Sequence, residues 1–178
     1  MRRGWSRLRA LRLWVDRSAS AAVEFALVVP VLVAIVLSTF EVGWYMVQTI
    51  MLDRAVDRTV RELRVGSFAN PTQASMRQRV CREAMVLFDC EQSLTLELVP
   101  VTTPSTYPND AARCIERANP IQPVLRFVPG GRSQTMFVRA CYVVSPFTPG
   151  LALGLAMAKD DDGDFRLISK SAFMNEPM

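Results

Sequence analysis

The sequence contains no histidine among its 178 residues. This absence excludes Ser-His and Cys-His nucleophilic pairs, and it removes the commonest nitrogen ligand for transition metals. The Gly-rich phosphate-binding loop, the dinucleotide-binding G-x-G-x-x-G and the hydrolase G-x-S-x-G are also missing. The sequence therefore argues against an enzyme and predicts neither a catalytic residue nor a cofactor.

Metal-binding patterns are equally scarce. No C-x-x-C pair occurs, which argues against a zinc site. The acidic run that begins at Asp160 would need glycine and glutamate at the sixth and twelfth positions of a calcium-binding loop, but Phe165 and Ser171 stand there. We interpret this run as a solvated turn and predict no metal site.

One long apolar run dominates the N-terminal third. From Phe25 to Met46 the only charged residue is Glu41, and the run would extend about 33 Å as a helix, enough to cross a bilayer. Residues 1–17, ahead of the run, contain six arginines and a single acid, Asp16. By the positive-inside rule, the N-terminus stays in the cytoplasm and the rest crosses the membrane. A basic stretch also attracts nucleic acid, but no DNA-binding motif follows these arginines, so we expect no nucleic-acid partner.

Small residues lie between the arginines and the apolar run, at positions 18–22. A secretory signal has a shorter apolar core and a cleavage site after it. Processing at residues 18–22 would instead remove the basic leader and leave the apolar helix on the mature protein. This order is that of a prepilin.

The rest of the chain predicts an α+β class. An amphipathic pattern continues the apolar helix to Val65, with Gly66 as its stop and apolar residues on one face. That face consists of Leu52, Val56, Thr59, Val60 and Leu63. The i,i+4 charges predict Asp57–Arg61 and Arg58–Glu62 pairs. A second helix is expected over residues 73–88, capped near Thr72.

About four antiparallel strands are expected after the second helix. They are residues 93–101, two runs within 124–144 that form a hairpin around Pro129–Ser133, and residues 165–173. Residues 102–123 are rich in proline and asparagine and predict a long loop, with one helical turn around 113–117. The expected organisation is a basic leader at 1–19, a membrane and amphipathic helix at 20–66, and a periplasmic α+β domain at 67–178.

Four cysteines follow the apolar run, namely Cys81, Cys90, Cys114 and Cys141. In an oxidising compartment an even number favours two disulfides, although four buried thiols remain the alternative. Three connectivities are possible. A Cys81–Cys90 bond is preferred only because its short loop is easily closed.

Two glutamates are costly near a membrane and need an explanation. Glu24 stands at the start of the apolar run, where it either meets a positive charge or extends to the lipid headgroups. Glu41 stands near the outer interface beside aromatic residues. It either reaches the headgroups or contacts a neighbouring helix.

The stretch S-A-S-A-A-V-E-F-A-L-V-V-P, residues 18–30, resembles the processing segment of TadE-like pseudopilins of the tight-adherence (Flp) type IV pilus system. Residues 129–144 and the ending S-A-F-M-N-E-P, residues 171–177, also resemble members of this family. The resemblance implies cleavage by a prepilin peptidase between Ala19 and Ser20, although Ala19 stands where glycine is usual. It further implies that Glu24 pairs with the new terminal amine of an adjacent subunit and so sets subunit registry.

The sequence thus predicts a non-catalytic minor pilin or pseudopilin with a pilin-like head. It would be a single-pass protein of the bacterial inner membrane with a periplasmic C-terminal domain, associated with pili and with other pilin-like subunits. The alternative is a periplasmic adhesion or ligand-binding module on an uncleaved signal anchor. Removal of the leader by prepilin peptidase distinguishes the two.

Overall fold

The computed structural model describes residues 18–68, 70–103, 114–115, 125–148, 157, 159–160 and 162–176. Its elements are α1 (Ser18–Arg64), α2 (Gln73–Glu83), the short α3 (Cys90–Ser93), β1 (Leu94–Pro100), β2 (Thr135–Val144) and β3 (Phe165–Met174). One long helix, a second helix and an antiparallel three-stranded sheet confirm the predicted α+β class. We call the described residues from 70 to 176 the head.

The C-terminal half of α1 packs against the head through the predicted apolar face, whose five members are all buried. The helix ends as expected at Gly66, which has a φ of +69°. The Gly66 N–H bonds to the Leu63 carbonyl and the Ser67 N–H to the Glu62 carbonyl, both at 3.1 Å. This pair of bonds is the Schellman arrangement, which glycine favours because the left-handed conformation costs it little.

Arg58 and Glu62 of α1 do not pair with each other as predicted. Arg58 bonds instead to Glu83 of α2 at 2.8 Å, and Glu62 binds Arg79 of α2, whose Nε lies 2.9 Å from a carboxylate oxygen. The prediction of an Arg58–Glu62 pair is therefore wrong. The residues that pair with them belong to α2, so these contacts depend on the packing of α2 beside α1.

Helix α2 begins where the sequence indicated, with a capping box between Thr72 and Ser75. It ends at Glu83, five residues before the predicted end. The Cys81–Cys90 disulfide, whose Cα atoms are 5.6 Å apart, shows that the chain has left the helix before residue 90. In a continuous helix these two Cα atoms would be about 13 Å apart, which is too far for a disulfide.

The sheet has the order β1-β2-β3, with Leu96 opposite Ala140 and Ala140 opposite Ser169. The predicted hairpin around Pro129–Ser133 is wrong. Residues 126–128 do not pair with β2 but form a parallel bridge to the outer edge of β1, where Leu98 N–H bonds to the Arg126 carbonyl at 2.9 Å. In the described part of the chain the sheet thus has three strands instead of about four, because β1 lies between the two arms of the expected hairpin.

Both faces of β1 and β2 are buried. One face packs on α1 and α2, and Cys114 and Ile115 cover part of the other. A buried ion pair joins Arg139 to Glu97 on this second face at 3.3 Å. Residues 104–113 and 116–123 of the predicted loop, including most of its expected helical turn, lie outside the described residues.

Candidate functional site: the exposed half of the long helix

The N-terminal half of α1 extends away from the head with its apolar side chains uncovered. From Val23 to Phe40 no side chain is buried. Within the described residues, α1 is the one helix long and apolar enough to cross a membrane. Such a surface exposed around the whole helix is unfavourable in water and fits a single-pass membrane anchor.

The hydroxyl groups of Ser38 and Thr39 in this half bond to the helix backbone. The Ser38 hydroxyl donates to the Ala34 carbonyl at 2.7 Å, and the Thr39 hydroxyl donates to the Ile35 carbonyl at 2.9 Å. The helix also runs through Pro30 without interruption. Internal hydrogen bonding of this kind is what hydrocarbon requires of a spanning segment.

The proposed processing segment forms the first turns of α1. Ser20 and Glu24 lie one turn apart on the same face, with Ser20 Oγ 3.5 Å from a Glu24 carboxylate oxygen, and both residues are exposed. The backbone of Ala19 belongs to the helix, whereas its side chain and the arginines of the expected leader lie outside the described residues. The structure thus brings Ser20 and Glu24 together and leaves the Glu24 carboxylate accessible to a second chain.

Glu41 has a role that the sequence did not indicate. Its side chain is fully buried and accepts hydrogen bonds from the backbone N–H groups of Phe147 (2.8 Å) and Thr148 (3.3 Å). The hydroxyls of Thr148 (2.6 Å) and Tyr45 (3.2 Å) also donate to it. Glu41 therefore joins α1 to the segment after β2 instead of reaching headgroups or another helix. The Phe147 and Thr148 partners lie 106 and 107 residues away, so local sequence carries no signal for these contacts.

The contacts of Glu41 mark the point where the head begins to cover α1. Burial against the head begins at Glu41 and continues with Tyr45 and Gln48, whereas the sequence placed the end of the span at Met46. The part of α1 that is uncovered on all sides comprises residues 23–40. It measures about 27 Å at 1.5 Å per residue, close to the thickness of a bilayer core.

The four cysteines form two disulfides, Cys81–Cys90 and Cys114–Cys141. The first ties the end of α2 to α3, and the second ties residue 114 to the middle of β2. This arrangement fits the expected number of bonds and the preferred Cys81–Cys90 pairing. Both bonds lie in the head.

The acidic run near residue 160 forms a turn. One oxygen of Asp160 accepts from the backbone N–H groups of Asp164 at 2.8 Å and Asp162 at 3.2 Å, and the turn leads into β3. Where the structure describes the chain, no group of three or more acidic or sulfur side chains is placed to hold a metal ion.

Comparison with protein-family models gives a match to the long helix. A family model described as TadE-like protein matches residues 19–61, which comprise most of α1 and include both Ser20 and Glu24. No curated protein and no solved structure matches the chain. The regions of resemblance near the C-terminus lie outside the matched residues. The chain is thus similar to TadE-like proteins over its long N-terminal helix.

Proposed function

We propose that this chain is a non-catalytic minor pilin or pseudopilin of a Tad (Flp)-type pilus. The observation that carries the proposal is the half of α1 that is apolar on every side and begins at a small-residue segment with one accessible glutamate. A helix of this kind anchors a subunit in the membrane and also offers a surface along which a second pilin-like helix packs. The family match to the same helix supports this assignment.

In this proposal residues 1–19 are a cytoplasmic leader, residues 20–66 the membrane and packing helix, and residues 67–178 a periplasmic domain. A prepilin peptidase of the inner membrane cuts between Ala19 and Ser20. The cut frees the amine of Ser20, which is charged below a pKa of about 8. Glu24 of an adjacent subunit then receives this amine as the two helices pack.

Cleavage is tested by co-expression with a prepilin peptidase, followed by intact-mass measurement and N-terminal sequencing. We expect the mature chain to begin at Ser20. Ala19→Gly is expected to be cleaved at least as well, since glycine is the usual residue of the family there. A chain that keeps its leader in the presence of a peptidase active on another prepilin would favour the alternative, a periplasmic binding module on an uncleaved anchor.

Registry is tested separately with Glu24→Gln, which keeps the shape of the side chain and removes its charge. Cleavage and membrane insertion are expected to persist, because neutralising a carboxylate eases entry into lipid. Co-purification with pilin-like partners and piliation are expected to fall. Glu91→Gln, an exposed change in the head, is the matched control. Normal piliation of the Glu24→Gln strain at equal protein level would refute the registry role while leaving the anchor role intact.

A further inference from the structure

Four aromatic side chains from three separate parts of the chain meet where the exposed half of α1 ends. Phe40 and Trp44 belong to α1, Phe88 follows α2, and Phe147 follows β2. Ring centroids lie 6.5 Å apart for Phe40 and Phe147, 6.3 Å for Trp44 and Phe147, and 6.2 Å for Trp44 and Phe88. We call these four residues the aromatic cluster.

The aromatic cluster is not part of the core. Phe40 and Phe88 are each 67% exposed and Phe147 is 58% exposed. Large apolar side chains grouped on a surface in this way mark a site that another apolar phase covers. Aromatic residues in particular are enriched where a protein crosses the interface between lipid and water.

Hydrogen bonds within the protein hold Phe88 and Phe147, the two cluster residues of the head, at one position along α1. The backbone N–H of Phe147 donates to Glu41, one residue after Phe40. The backbone carbonyl of Phe88 accepts from the Tyr142 hydroxyl at 2.8 Å, which fixes the turn after α2 to the sheet. Phe88 and Phe147 therefore stand beside the turn of α1 that ends its uncovered apolar stretch.

The position of the aromatic cluster along α1 indicates that lipid covers it. The stretch of α1 without any buried side chain ends at Phe40 and is about 27 Å long. A bilayer that accommodates this stretch has its outer boundary at Phe40 and Trp44. The cluster is continuous with the lipid-facing surface of the anchor. Glu41, which follows Phe40 in sequence, is buried beneath the head and is thereby kept away from lipid.

We propose that the aromatic cluster docks the head onto the outer face of the membrane that holds α1, with Phe88 and Phe147 inserted at the boundary between headgroups and acyl chains. The head then has a defined orientation on the lipid surface instead of standing clear of it in water. The inference goes beyond the pilus assignment. It rests on the membrane anchor and not on cleavage or registry.

The test places a single tryptophan at Phe88. In the full chain, the three natural tryptophans, Trp5, Trp14 and Trp44, are changed to phenylalanine, and Phe88→Trp is added. The protein is reconstituted into phosphatidylcholine–phosphatidylglycerol vesicles that contain lipids brominated at shallow acyl positions, which quench tryptophan on contact. Phe147→Trp in the same background is the second reporter.

Two controls define the scale of the experiment. Ile35→Trp, in the uncovered stretch of α1, reports insertion of the anchor. Met174→Trp reports a position of comparable exposure, 57%, at the far end of the head. This end is marked by Glu176 N–H bonding to the Arg64 carbonyl, about 36 Å beyond Phe40 along α1.

We expect strong quenching of Phe88→Trp and Phe147→Trp by brominated lipid at every lipid-to-protein ratio, and none of Met174→Trp. Quenching of both reporters by aqueous acrylamide but not by lipid would overturn the proposal. If both reporters are shielded from brominated lipid and from acrylamide, and this shielding disappears when the lipid-to-protein ratio is raised, a second copy of the protein covers the cluster. That result would also overturn the proposal. Absence of lipid quenching at Ile35→Trp would also overturn the proposal that α1 is a membrane anchor. The experiment therefore distinguishes failure of the anchor from failure of head docking.

Discussion

Glu41 should contribute more to the stability of this protein than any other single carboxylate that the structure describes. It is fully buried and accepts from two backbone N–H groups and two hydroxyls. Glu41→Ala would leave the N–H groups of Phe147 and Thr148 without this acceptor inside the protein. Glu41→Gln would keep one carbonyl oxygen as the acceptor for both N–H groups, remove the charge and replace the oxygen that accepts from the Thr148 hydroxyl.

The size of the effect follows from these contacts. A hydrogen bond to a charged group contributes about 1.5–3 kcal/mol, and contributions within one cluster are not additive. Removing one partner of a buried charged network typically costs about 3–5 kcal/mol, which we expect for Glu41→Ala. For Glu41→Gln we expect about 1–2 kcal/mol, since most of the geometry survives. The larger loss is a sizeable part of the about 5–15 kcal/mol that stabilises a typical domain.

The free energy of unfolding is measured by denaturant titration of the full chain in detergent. Amide hydrogen exchange by mass spectrometry follows the peptide that contains Phe147 and Thr148, whose protection should fall selectively in Glu41→Ala. Glu24→Ala, on the same helix but exposed, is the control and should leave both measurements unchanged. A Glu41→Ala protein that unfolds at the wild-type denaturant concentration, with slow exchange at Phe147 and Thr148, would refute the reasoning.

Three further predictions concern the head and α1. Cys141→Ser should destabilise the protein by about 1 kcal/mol more than Cys90→Ser, because its disulfide spans 27 residues of sequence instead of 9; equal denaturant midpoints would contradict this. The hydrogen bond from Arg58 is the main cause that lowers the pKa of Glu83 below its ordinary value of 4.5, so Glu83 stabilises the fold above that value and the contribution disappears as pH falls through the lowered pKa. Unfolding titrations of wild type and Glu83→Gln should accordingly converge in acid, and a constant difference would argue against the ion pair. Gly43→Ala should stabilise the helix by about 0.5–1 kcal/mol, since an added Cβ meets no atom within 4 Å, and a lowered melting temperature would contradict that.

Local sequence patterns were enough to predict the course of α1 and the start of α2. The spacing of Leu52, Val56 and Leu63 placed one face of α1 against the head, and these residues are buried. Gly66 and Thr72 marked a helix end and a helix start, where the structure has a Schellman motif and a capping box. These features depend on residues three to five positions apart, so the local sequence carries them completely.

Contacts between distant parts of the chain could not be predicted in the same way. Arg58 had a plausible partner four residues away, yet it binds Glu83, because α2 supplies a carboxylate once the two helices pack. The Pro-Gly-Gly turn indicated a hairpin. Because β1 pairs with β2 along its whole length, residues 126–128 can reach only the outer edge of β1.

The sequence by itself determined that α1 is one continuous helix, apolar at its start and amphipathic at its end, and that two glutamates would stand out on it. Only the tertiary structure decided how those glutamates differ. Glu24 stays exposed beside Ser20, whereas the segment after β2 folds back to bury Glu41. The reason is physical: a helical pattern records the face on which a residue lies, but the partner that meets this face depends on the path of the remaining chain, which neighbouring residues do not encode.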